Sequence, residues 1–183
     1  TKAIIPVNLY GQSADYDKIN KIAKKYKLNV IEDCAQSAGA YFKNKPSGSF
    51  GDLSAFSFYP TKNLGAYGDG GMIVTNNNKL NLRCKKLRKY GMKKLYYSEI
   101  HGINSRLDEI QAAILKFKLK KLSSDVKKRR RIAELYNKNL KCNELILPKE
   151  NKNNYHSFYV YVVRHKKRKK LLDYLKKNNI FCN

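Results

Sequence analysis

Four polar residues stand where short apolar runs end, and their types suit one kind of chemistry. Asp33 follows Val30-Ile31-Glu32, with Gln36 three residues further on. Ser57 lies inside Ala55-Phe56-Ser57-Phe58, and Lys62 follows in Tyr59-Pro60-Thr61-Lys62-Asn63-Leu64-Gly65. A lone lysine in a loop is normally a solvated charge, all the more so in a chain with 31 of them. A lysine between a Pro-Thr turn and a glycine run, behind a buried strand, can instead be stripped of water, which favours the nucleophilic amine. An aspartate at the end of an adjacent strand can keep a pyridine nitrogen protonated, and a serine between them can take a phosphate. A Schiff-base lysine, an acidic partner for the ring nitrogen and a phosphate anchor are the three needs of pyridoxal 5′-phosphate chemistry.

The elements that must position these residues read as an α/β arrangement. Ala3 to Leu9 is an apolar run, and Asp15 is a candidate N-cap for a helix with Ile19, Ile22, Ala23 and Tyr26 on one face. Asn29 to Glu32 then reads as a short buried strand, so strand, crossover helix and strand form the unit of a parallel sheet. Leu53 to Phe58 is a further strand, and a glycine-rich stretch, Gly65 to Gly71, leads into Met72 to Thr75. Ligands in such sheets bind past the carboxyl ends of the strands, where Asp33 and Lys62 fall. Helices are predicted over Asn76 to Tyr90, over Leu107 to Lys120 behind a Ser105-x-x-Asp108 capping box, and over Ser123 to Leu140. Ile110, Ala113, Ile114 and Phe117 would form the core stripe of the second of these. Tyr155 to Val163 alternates like a strand, and a helix carrying Leu171, Leu172 and Leu175 follows from Lys166 to Lys177. Lys149 to Asn154 is the one linker-like stretch.

Composition narrows the class. The chain has 183 residues with 39 Lys+Arg against 14 Asp+Glu, a net charge of +25, yet 42% of it is hydrophobic and can build a core. Lysine outnumbers arginine 31 to 8, whereas a nucleic-acid surface favours the guanidinium fork. The longest apolar run, Phe158 to Val163, is far below the ~20 residues of a membrane span. Cys34, Cys84, Cys142 and Cys182 lie 50, 58 and 40 residues apart with no C-x-x-C, which argues against a zinc site and a disulfide framework. Cys34 reads as a packing residue, and His101, His156 and His165 as surface or loop residues. Lys127-Lys128-Arg129-Arg130-Arg131 and Arg164 to Lys170 read as solvated basic faces.

Five blocks, in order, resemble the DegT/DnrJ/EryC1/StrS sugar aminotransferases. They are Pro6 to Gln12, Ile31 to Ala40, Ala55 to Gly65, Gly68-Asp69-Gly70-Gly71, and Gly102 to Leu115. The resemblance implies a pyridoxal-phosphate-dependent transferase fold of type I: residues 1–120 belong to the large parallel-sheet domain, and 121–183 to a connecting helix and the beginning of a small α+β domain. It implies that Lys62 bonds to the cofactor and shuttles the proton to the substrate carbon. Asp33 would pair with the pyridine nitrogen, Gln36 would lie against the ring or its 3-hydroxyl, and Ser57 would bind the phosphate. Asn104 would reach the phosphate of a neighbouring subunit's cofactor, and Arg106 would support that contact or a substrate acid. Asn104, Ser105 and Gln36 also have a plainer reading as helix-start residues.

The reaction implied is amino transfer, usually from glutamate, to a keto carbon of a nucleotide-linked sugar, in cell-surface polysaccharide or deoxysugar biosynthesis. A lysine at position 62 favours this over the dehydratase branch, where histidine stands there. Tyr10-Gly11-Gln12 and Asn104-Ser105-Arg106-Leu107-Asp108 look most like members acting on dTDP-linked 3-keto-6-deoxyhexoses. A cytoplasmic homodimer with a shared active site is implied for the parent enzyme. Family members are longer at both ends, so the expectation is an internal fragment that binds cofactor weakly by itself and does not turn over. The competing reading is a non-catalytic binding module or, less favoured, a basic nucleic-acid binder.

Overall fold

The computed structural model describes residues 1–182. Its main sheet has four strands in the order β1 (Ala3–Ile4), β2 (Asn29–Asp33), β5 (Leu53–Ser57) and β6 (Gly71–Val74). The first three run parallel, and β6 returns antiparallel beside β5. Between β1 and β2 comes α1 (Tyr16–Tyr26), capped by the Asp15 carboxylate on the Lys18 N–H as the sequence predicts. A small second sheet pairs β3 (Tyr41–Phe42) with both β4 (Lys45–Pro46) and β9 (Asn154–Tyr155). Beyond β6 come α2 (Asn78–Leu87), the hairpin β7 (Met92–Lys94) and β8 (Tyr97–Ser98), then α3 (Glu109–Leu119), α4 (Leu122–Asn139) and finally α5 (Arg168–Lys177).

The core forms two clusters around β2 and β5. Tyr16, Ala23, Val30 and Phe42 form one cluster with Phe50, whose ring stacks on Tyr16 at 4.6 Å. Phe58, Leu64, Ala66 and Leu115 form the other. Glu32 of β2 is fully buried and stays hydrogen-bonded on both oxygens. It accepts from the backbone N–H groups of Gly48, Phe50 and Gly51 and from the Ser54 hydroxyl, which ties β2 to the loop that launches β5.

The structure departs from several sequence expectations. On α1 the buried face is Tyr16, Ile19 and Ala23, while Ile22 and Tyr26 are exposed. The Tyr16 hydroxyl donates to Asn8 and its ring stacks on Phe50, and this anchor turns the stripe. On α3 the expected stripe is split: Ile110 is 75% exposed and Phe117 60%, Ala113 is exposed as well, Ile114 is half-buried, and Leu115 is the buried residue. Polar anchors set that rotation, since Gln111 accepts from the Tyr67 N–H and Lys118 donates to the Gly65 carbonyl. The capping box is not formed. Asp108 is the N-cap, Ser105 donates its N–H to Arg88, and Asn104 bridges to Lys89, so neither Asn104 nor Ser105 caps α3.

The expected strand from Tyr155 to Val163 stops at Tyr155. Phe158 takes a left-handed φ of 44°, and the carbonyls of His156, Phe158 and Tyr159 accept from Arg130 and Arg129 of α4. Guanidinium groups thus supply the partners a neighbouring strand would have supplied. The same contacts correct the basic run at 127–131, of which Arg129 and Arg130 turn inward. Arg130 also forms a two-pronged ion pair with Glu150 at 2.8 and 3.0 Å. His156, expected as a surface or loop residue, is buried.

Candidate active site

β2 and β5 are adjacent and parallel with Asp33 opposite Ala55, so Asp33 and Ser57 come out at the same, carboxyl end of these strands. Both are half-buried. The chain turns immediately after Ser57: its hydroxyl accepts from the Tyr59 N–H at 3.3 Å, and Lys62 donates its N–H to the Tyr59 carbonyl at 2.9 Å. Gly65 lets the loop fold back on itself, because a Cβ there would lie 2.3 Å from the Pro60 carbonyl oxygen. Lys62 is thereby delivered to the strand ends, half-buried, with no ion pair among the described residues.

The Lys62 ammonium group sits 4.5 Å from the centroid of the Tyr159 ring, a cation–π contact. The Tyr159 hydroxyl lies 3.3 Å from Thr61 Oγ1. That hydrogen bond, with the Lys62 charge close by, holds the phenol below the usual tyrosine range. Gln36 Oε1 accepts from the Tyr10 N–H at 2.7 Å, and the Tyr10 carbonyl accepts from the Tyr159 N–H at 3.0 Å. Asp33, Gln36, Ser57 and Lys62 therefore all lie at the strand-end loops of β2 and β5. Asn104 lies elsewhere, exposed beside the end of α2, where its Oδ1 accepts from Arg106 Nε at 2.9 Å; no hydrogen bond joins it to the other four among the described residues. Tyr159 is the residue that sequence reasoning missed. Its strand-like surroundings hid it, and only the contacts from α4 and the Gly11 turn reveal it.

The donor set suits an aldehyde cofactor with a basic ring nitrogen and a phosphate. Lys62 offers an amine without a carboxylate partner. Asp33 uses Oδ1 to accept from the Ala35 N–H and keeps Oδ2 without a hydrogen bond among the described residues. Ser57 accepts through its oxygen, which leaves its own proton to donate. Cys34, next to Asp33, is buried among Asn8, Ser47 and Glu32, and burial pushes its thiol up to about 11, so it is no competing nucleophile. Among the described residues no group of His, Cys, Asp and Glu is arranged to hold a metal, and no helix is long and apolar enough to cross a membrane.

Comparison with known proteins matches residues 1–183 to the DegT/DnrJ/EryC1/StrS aminotransferase family. The dTDP-3-amino-3,6-dideoxy-alpha-D-galactopyranose transaminase of Aneurinibacillus thermoaerophilus is 51% identical over 180 residues, covering 98% of this chain and 50% of its own length. Among solved structures, S. venezuelae DesV in complex with a ketimine intermediate superposes with a TM-score of 0.94 at 38% identity, over 97% of this chain and 48% of that one. The E. coli GDP-4-keto-6-deoxy-D-mannose-3-dehydratase with bound hydrated PLP gives 0.91 at 28% identity, over 100% of this chain and 53% of that one. The chain spans about half the length of the curated relatives it matches.

Proposed function

The chain belongs to the DegT/DnrJ/EryC1/StrS aminotransferase family, and from that premise we propose that it carries the catalytic lysine segment of a pyridoxal-phosphate-dependent nucleotide-sugar aminotransferase. The observation that carries this reading is the half-buried Lys62, without a carboxylate partner, in the loop that leaves β5 at the strand end where Asp33 and Ser57 lie. Pyridoxal phosphate, when bound, supplies the electron sink that makes a C–H bond next to nitrogen acidic. Within the proposal, Lys62 holds the cofactor by its amine and moves the proton to and from the substrate carbon. Asp33, through its free Oδ2, keeps a proton on the ring nitrogen. Ser57 donates its hydroxyl to the phosphate, and Gln36 borders the ring while bracing Tyr10.

The finer assignments belong to the same proposal. The substrate is a dTDP-linked 3-keto-6-deoxyhexose, the donor glutamate and the compartment the cytoplasm. The parent is a homodimer in which exposed Asn104, steadied by Arg106, reaches the partner's cofactor. Residues 1–120 are its large-domain part, and 121–183 its connecting helix and the start of its small domain. The outward apolar residues Ile110 and Phe117 of α3 support the homodimer, and the name of the 51%-identical relative supports the dTDP-linked sugar.

The test is covalent trapping. Incubation with pyridoxal phosphate followed by borohydride should place one pyridoxyl group preferentially on Lys62, located by peptide mass mapping. Lys62→Ala should remove that adduct and leave the fold intact. Labelling spread over the 31 lysines without preference for Lys62 would sink the proposal.

A further inference from the structure

Residues 156–159 are held against the Lys62 loop by more anchors than a connecting segment needs. Ser157 donates both its N–H and its hydroxyl to the Gly11 carbonyl, and Asn63, next to Lys62, donates to the Ser157 carbonyl. Gly11 has φ 103°, and a Cβ on it would lie 2.6 Å from Ser157 Oγ and 2.9 Å from Tyr159 N, so the approach is possible only at glycine. Arg129 of α4 bonds the Phe158 and Tyr159 carbonyls, each at 3.3 Å. These contacts converge on one side chain. Tyr159 is fixed at its N–H, its carbonyl and its hydroxyl, and its ring face carries the Lys62 ammonium group.

We propose that Tyr159 is a positioning residue for Lys62, its ring holding the amine in place at the strand ends and its hydroxyl bracing the turn through Thr61. A free lysine side chain samples many rotamers, and the reactive one must be selected each time. A ring at 4.5 Å confines the nitrogen without neutralising it as a carboxylate would. The ring is itself tied to the remainder of the site, since its backbone N–H bonds to Tyr10, whose own N–H bonds to Gln36. The inference rests on the proposed role of Lys62.

The test is the rate of pyridoxyl trapping at Lys62, measured against the exposed Lys2 and Lys24 of the same chain. Y159F keeps the ring and should label within about twofold of the unsubstituted chain, whereas Y159L should lower labelling at Lys62 about tenfold with the reference lysines unchanged. Labelling by Y159L at the unsubstituted rate, or by Y159F as poorly as Y159L, would overturn the inference. An unsubstituted chain that shows no preference for Lys62 defeats the proposed function instead, so the two failures are distinct. A measurement that needs no Tyr159 variant guards against misfolding. After reductive methylation with labelled formaldehyde, the Lys62 methyl resonance, assigned by its loss in Lys62→Arg, should be displaced upfield by the ring. A Lys62 resonance coincident with those of the surface lysines refutes the contact.

Discussion

His156 makes the anchoring of the Tyr159 segment measurable through pH. The ring is buried, stacks on Phe158 at 4.0 Å, and accepts the Phe158 N–H on Nδ1 at 2.9 Å. Burial, helped by the Arg130 guanidinium and opposed by Glu150, lowers its pKa from 6.5 to about 4. A proton on Nδ1 would also remove the acceptor that the Phe158 N–H needs. Because the folded value lies below the unfolded one, the unfolded chain binds the proton more readily. The stability contributed is fully present above about pH 6.5 and is lost as pH falls toward 4. At roughly 1.4 kcal/mol for each pH unit between the unfolded and folded values, the loss over that window is about 3 kcal/mol. His156→Asn retains an oxygen acceptor for the Phe158 N–H but does not titrate. Urea unfolding of both chains at pH 7.5 and 4.5 should show the unsubstituted chain losing about 2.5 kcal/mol more than the variant; titrations common to both cancel in the difference. Parallel pH dependence of the two chains, or an NMR titration of His156 near 6.5 in the folded chain, would show that burial does not hold His156 neutral.

Other perturbations probe the same scaffold. Gly11→Ala forces a side chain into a left-handed position and against Ser157, and should lower stability by about 3 kcal/mol in denaturant titrations, together with Lys62 trapping. Glu32→Gln replaces an oxygen that faces converging N–H groups with an NH₂ group, and should cost about 3 kcal/mol by the same measurement; an effect below about 0.5 kcal/mol would contradict the tie between β2 and the loop before β5. A thiol-specific reagent at pH 8 should modify exposed Cys142 within minutes but reach Cys34 only on unfolding, since Cys34 is buried and its thiol is pushed up to about 11.

Much of the site was legible in the sequence because its cues are local. A short apolar run ending in a polar residue marks a strand end, and the helical spacing between two such runs implies parallel pairing; thus Asp33, Ser57 and Lys62 could be placed at one end of the strands from the chain alone. Asp15 as a cap and Cys34 as a packing residue were readable for the same reason. Where the outcome depended on partners far along the chain, sequence patterns misled. The apolar period of α3 is the same whichever face is buried, and Gln111 and Lys118, polar residues bonded to the glycine-rich loop, decided it. The alternation from Tyr155 to Tyr161 is a strand pattern, but Arg129 and Arg130 reach its carbonyls from α4 and Gly11 admits its backbone, and so it becomes a bent clamp. The candidate residues Asp33, Ser57 and Lys62 and the end of the strands that presents them were thus readable from sequence alone. Which aromatic ring meets the lysine, which arginines turn inward and which helix faces are left open were decided only by tertiary structure, because hydrogen bonds between residues distant in sequence leave no local periodicity.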